Sequence, residues 1–206
     1  DVVLLQRTWD LYDKKNLVFF LMIRRQPRST QSRSSAASDV YKRQSVQSLL
    51  QNLQDFQTRY ARASNRQQVA EWIRQKFISF GITDVVLQQF TWQNTDQYNV
   101  VATIPGTVYP NQYIIVGGHH DSISGNSDPY TTAPGADDNA SGSVAALEMA
   151  RVMMQSGYQP KTSIRFVTFA AEEFGLWGSR HYAQTCLLYT SPSPRDRTRS
   201  RMPSSA

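Results

Sequence analysis

Three short clusters in this chain place one imidazole and several carboxylates at the ends of apolar runs. Gly117-Gly118-His119-His120-Asp121-Ser122 follows Tyr113-Ile114-Ile115-Val116. Gly135-Ala136-Asp137-Asp138-Asn139-Ala140-Ser141-Gly142 stands just before an apolar helical pattern. Ala170-Ala171-Glu172-Glu173-Phe174-Gly175 follows Ile164-Arg165-Phe166-Val167-Thr168-Phe169. His119, Asp137 and Glu173 offer one nitrogen and two carboxylates, a donor set suited to zinc in a hydrolytic site. A carboxylate can also bridge two metals. Asp121 lies two residues past His119, on the same side of an extended strand. It can therefore accept the second imidazole N–H and fix the tautomer. Glu172 and Glu173 are adjacent and face different ways, so one can bind metal while the other takes a proton from metal-bound water.

Each cluster has an ordinary explanation when taken singly. His-x-Asp is common on surfaces. Asp137-Asp138-Asn139 before a helix is also what an N-cap and the helix dipole favour. Glu172-Glu173 suits a solvated loop. Their joint placement on one sheet edge is what favours a metal site. His120 reads as a cleft or supporting residue, His181 as ordinary surface, and Phe174 and Trp177 as packing or cleft wall. Gly142 inside a helix implies close backbone packing.

The surrounding pattern supplies that sheet edge. Val46, Leu49, Leu50, Leu53 and Phe56 recur at helical spacing, predicting a helix over 45–61. Ser64-Asn65-Arg66-Gln67 has the form of a capping box, and Val69, Trp72, Ile73, Phe77 and Phe80 make a second apolar stripe ending at Gly81. Strands are predicted over 84–92, 98–104, 112–118 and 163–169, the third apolar enough to be central and parallel. A helix over 139–155 joins the last two strands into a βαβ unit, and another begins near Gly178. The expected fold is α/β, a mixed sheet with parallel central strands and helices on both faces. In such sheets ligands sit beyond the carboxyl ends of the strands, where His119 and Glu172-Glu173 fall.

Charge separates this region from its flanks. The chain carries a net +6, but residues 1–44 hold nine Lys/Arg against four Asp/Glu, and 186–206 hold four against one. Residues 45–185 hold nine against eleven and show no basic stripe for a phosphate backbone, which argues against a nucleic-acid partner. No run reaches the roughly 18 apolar residues of a membrane span. Leu17 to Ile23 is too short, and no small-residue cleavage site follows it promptly. Cys186 is the single cysteine, so no internal disulfide forms. Both ends lack helical or strand period and resemble translated adapter or vector DNA. The expected organisation is a non-native or disordered leader over 1–44, catalytic-domain sequence over 45–186 and a basic tail over 187–206.

The motifs Ile-Val-Gly-Gly-His119-His-Asp121-Ser, Pro-Gly-Ala-Asp137-Asp-Asn-Ala-Ser-Gly and Ala-Ala-Glu172-Glu173-Phe-Gly-Leu-Trp-Gly-Ser resemble the signature of the co-catalytic dizinc aminopeptidases. That is the family of secreted bacterial leucyl aminopeptidases. The similarity spans residues 45–185 and includes Tyr98-Asn99-Val100-Val101-Ala102. It implies a zinc exopeptidase-like three-layer sandwich and two Zn2+ per intact site. His119 would bind one zinc, Asp137 would bridge both, and Glu173 would bind the other. Glu172 would be the general base and Asp121 the partner of His119. It also implies a non-proline cis peptide at Asp137-Asp138, a peptide substrate with a free N-terminus, a monomer, and secreted or periplasmic placement.

The departure is equally specific. The family pattern needs a further Asp and a further His downstream, and no histidine follows His181. The 206-residue chain is therefore expected to be a C-terminally truncated, catalytically incomplete fragment. The rival readings are a glutaminyl cyclase-like enzyme and a non-catalytic binding protein that keeps the fold.

Overall fold

The computed structural model describes residues 33–187, with side chains from 43 to 185. The predicted signal-like run at Leu17–Ile23 and nearly all of the basic tail lie outside the described residues. Eight elements follow in order: α1 Arg33–Gln54, α2 Arg66–Ser79, β1 Asp84–Trp92, β2 Thr95–Ile104, β3 Tyr109–His119, α3 Ser141–Gln155, β4 Thr162–Phe169 and α4 Trp177–Leu187. A π-helical turn, Ala136–Ala140, leads into α3.

The four strands form one mixed sheet in the order β1-β2-β4-β3. β1 and β2 make an antiparallel hairpin. Its two turn residues, Gln93 and Asn94, both have positive φ (46° and 57°), the twist a two-residue hairpin loop prefers. β2 and β4 are antiparallel, whereas β3 and β4 are parallel and joined through α3. Among the described strands parallelism is confined to one pair, and β3 lies at the edge of the described sheet rather than at its centre. Tyr113, Ile114 and Ile115 are correspondingly 39–44% exposed. The apolar run fitted a buried strand, but a strand with one neighbour leaves its outer half in solvent.

The core lies between one face of the sheet and α1, α2 and α3. Leu53, Val69, Ile73, Phe77, Val100, Ala102, Val144, Leu147 and Phe166 are buried there, and the Phe77 and Phe166 rings meet at 6.3 Å. Each large side chain so buried contributes about 1.5–3 kcal/mol. The opposite face receives α4: Tyr182 packs edge-on to Phe169, and His181 stacks on Phe90 at 5.0 Å. His181 is thus a packing residue rather than plain surface.

Three local expectations differ from the outcome. α1 starts at Arg33, inside the span assigned to the leader, and stops at Gln54 rather than near residue 61. Gln57 then takes a positive φ of 61°, which a continuing helix excludes. At the start of α2, Asn65 forms no side-chain cap; its Nδ2 donates to Thr58 O at 2.9 Å, an alternative that removes it from capping. Gly81 ends α2 at φ 95°, as the sequence suggested.

Candidate metal centre

β3 and β4 run side by side in register, with His119 opposite Phe169. Both strands therefore end at the same level, and the residues that follow them meet. After β4, Ala171 adopts a positive φ of 52°, turning the chain so that the Glu172 and Glu173 backbone N–H groups point back at the β3 side. Both donate to the Asp121 carboxylate, Glu172 N to Oδ1 at 3.0 Å and Glu173 N to Oδ2 at 3.3 Å. The side chain of Asn99 on β2 secures the same turn. Its Oδ1 accepts from Ala170 N at 3.0 Å and its Nδ2 donates to Gly178 O at 2.9 Å.

The turn before α3 selects one of two adjacent aspartates. Asp138 (φ −113°, ψ 98°) and Asn139 leave helical geometry inside the turn. Asn139 Oδ1 accepts from Gly142 N at 2.8 Å, and a Cβ on Gly142 would lie 2.3 Å from that oxygen. This is the close approach its sequence position implied. The departure from helix turns the Asp138 side chain toward β3, where its Oδ1 lies 3.0 Å from His119 Nε2. Asp137 and Asp138 are both exposed, and it is Asp138 rather than the sequence candidate Asp137 that joins His119 and Glu173. The cis peptide likewise falls at Asp138-Asn139, one residue beyond the expected bond. Composition and spacing do not distinguish the two aspartates, which explains the shift.

One donor atom from each of His119, Asp138 and Glu173 lies within 4.8 Å of the others. Glu172 Oε2 is 3.5 Å from the same His119 nitrogen. On the other side of the ring, Nδ1 lies 3.1 Å from the Asp121 main-chain oxygen and 3.5 Å from its Oδ1. Among the described residues, the ion pairs of Asp121, Asp138 and Glu172 all run to His119.

Electrostatics follow from this crowding. Burial alone would lower the His119 pKa, but the hydrogen bond and charge of Asp121, joined by Glu172 and Asp138, hold it up at about 9. Burial pushes Glu173 up to about 7, and the charges of Asp121 and Asp138 add to this. Burial also raises Glu172. Four carboxylates stand around one imidazole, Asp121 buried, Glu172 and Glu173 part-buried and Asp138 open to solvent, and this excess of negative charge favours a cation. The donor set therefore fits a zinc ion by charge and ligand type.

His120 does not line a cleft. It is 4% exposed, its Nδ1 lies 3.2 Å from Thr168 Oγ1, and burial lowers its pKa to about 4. Phe174 packs on Trp92 at 4.7 Å, while Trp177 is 43% exposed. Arg59, a buried cation in the segment between α1 and α2, also reaches the site, donating to His120 O. An isolated Arg in an irregular segment carries no spacing signal.

Fold and donor set together define the architecture of the zinc exopeptidases. Residues 99–201 match Peptidase family M28, and the chain belongs to that family. The chain is 33% identical over 164 residues to a "Probable zinc metalloprotease" of Pyrenophora teres f. teres, covering 69% of this chain and 35% of the relative. It is 35% identical over 157 residues to Leucine aminopeptidase 1 of Arthroderma gypseum, covering 69% and 41%. Among solved structures, LapB from Legionella pneumophila superposes with a TM-score of 0.59 at 34% identity, over 70% of this chain and 39% of that one. A Bacteroides thetaiotaomicron glutaminyl cyclase shares the fold at TM-score 0.52 and 24% identity, over 63% and 46%. The chain thus spans about a third to two fifths of the length of the curated relatives it matches.

Proposed function

We propose that this chain carries the zinc-binding part of an aminopeptidase site acting on peptides with a free N-terminus. The observation that carries the reading is the gathering of His119, Asp138 and Glu173 donor atoms within 4.8 Å, beside the ion pairs that Asp121, Asp138 and Glu172 make with His119. Those three residues would hold the metal, with Asp138 in the role that the family resemblance implied for Asp137. Zinc bound there, two ions per site in the co-catalytic pattern, supplies Lewis acidity to the attacking water and to the scissile carbonyl.

The chain's own residues do the rest. Asp121 keeps His119 Nδ1–H engaged, which leaves Nε2 as the donor. Glu172, its pKa raised by burial, takes the proton of the attacking water and returns it to the leaving amine. The surplus of carboxylates favours a cationic α-amine beside the reacting carbonyl. Leucine aminopeptidase relatives support this substrate class. We further take the protein to be a monomer placed outside the cytoplasm. No described helix is long and apolar enough to cross a membrane.

The test is calorimetric titration of Zn2+ into the chain and into Glu172→Gln and Glu173→Gln variants. The expected result is binding by the native chain, weakened in Glu173→Gln and kept in Glu172→Gln. A native chain that takes up no zinc would overturn the metal reading.

A further inference from the structure

The short segment between α1 and α2 lies across both loops that deliver the donors. We propose that Arg59 is a positioning residue of the metal centre, whose guanidinium sets the spacing between the His119 strand end and the Asp138 turn. The proposal rests on reading that cluster as a metal centre.

Arg59 is 2% exposed. Its Nε donates to His120 O at 2.8 Å, and His120 stands between His119 and Asp121. Its Nη1 donates to Pro134 O at 2.7 Å and to Leu53 O at 3.0 Å, and its Nη2 donates to Gly135 O at 2.8 Å. One side chain therefore joins the end of α1, the loop after β3 and the entry to the Asp138 turn. Gly135 O also accepts from Ala140 N at 3.0 Å, so the hold passes across the turn that carries Asp138.

The main chain around Arg59 adds to this. Ser122 N donates to Arg59 O at 3.2 Å, and Ala133 N donates to Gln57 O at 2.9 Å. Thr58 Oγ1 donates to Pro129 O at 2.6 Å. Only a guanidinium presents a planar fork of donors that reaches carbonyls on three segments at once; an ammonium has three donors on one point. A buried charge committed to main-chain carbonyls is costly as mere packing. Here it fixes two loops whose relative placement decides whether His119 Nε2 and Asp138 Oδ1 meet.

The experiment uses the full 206-residue chain and its Arg59→Lys variant, with two readouts. Amide hydrogen exchange by NMR is followed at Ser122, Ala133 and Ala140, against β4 amides as reference. Zn2+ alone is titrated in parallel. The expected result is exchange faster by on the order of 10-fold at the three loop amides, with β4 unchanged. Zinc affinity should fall about 10- to 100-fold, as for partners that orient metal ligands. Unchanged loop exchange, or loosened loops with native zinc affinity, overturns the proposal. A native chain that binds no zinc sinks the metal reading separately, and the exchange data then decide whether Arg59 sets the loop spacing. Should Arg59→Lys fail to fold, exchange in the native chain under increasing denaturant replaces it. The three amides are expected to open as one unit, and independent opening overturns the proposal.

Discussion

His119 Nε2 and Asp138 Oδ1 lie 3.0 Å apart although 19 residues separate them, and it is Asp138, not its neighbour Asp137, that stands in one donor group with His119 and Glu173. On the metal reading proposed above, Asp138 is the second donor. Asp138→Asn should weaken Zn2+ binding by more than the roughly 100-fold at which outer partners reach their limit. Asp137→Asn should leave affinity within a few-fold of native. Paired zinc titrations check this, and the reverse ranking would return the role to Asp137.

Asp121 is 2% exposed, and its carboxylate accepts the N–H groups of Glu172 and Glu173 while facing His119 Nδ1. Asp121→Asn keeps the shape but leaves one acceptor oxygen and turns an NH2 toward a donor. The expected cost is about 1–3 kcal/mol of stability and about 10- to 100-fold in zinc affinity. Chemical denaturation and titration on one preparation measure both, and native values in both would remove Asp121 from the centre.

The metal-free chain should lose stability as pH rises from about 7 to about 9. His119 is raised to about 9 when folded, so its contribution is complete below its ordinary value and vanishes as pH passes through 9. Glu173, raised to about 7, acts in the same direction and is exhausted by the start of this window. His120, lowered to about 4, acts in the opposite direction, but only below its ordinary value. Zinc competes with the His119 proton, so its stabilisation should grow across the same window. Melting curves with chelator and with zinc, taken at each pH, give both slopes. A metal-free curve that rises toward pH 9 would contradict the site's electrostatics.

Gly118 lets β3 approach α3, since a Cβ there would stand 2.9 Å from the Gly142 carbonyl carbon. That obstacle is backbone and cannot rotate away. Gly118→Ala should cost about 1–3 kcal/mol as an overpacking substitution and should displace His119 from Asp138. Denaturation midpoints and zinc affinity should fall together, and a neutral result would mean that the helix is free to retreat.

The amino-acid sequence by itself determined the elements and the sheet end that carries the chemistry. Alternation and apolar runs marked β1 through β4, and helical spacing marked α2 and α3, because burial of one face imposes those periods. The order β3-α3-β4 made a parallel pair, which brought His119 level with Glu172 and Glu173. Tertiary structure alone decided the rest. Asp137 and Asp138 are chemically identical neighbours, and only the non-helical backbone at 138 and 139 chose between them. The apolar run of β3 could not disclose that it has a single neighbour among the described strands, because composition records hydrophobicity and not the number of neighbours. Arg59 was illegible for the same reason: its four acceptors are main-chain carbonyls, which every residue possesses, so its role exists only where the fold gathers them.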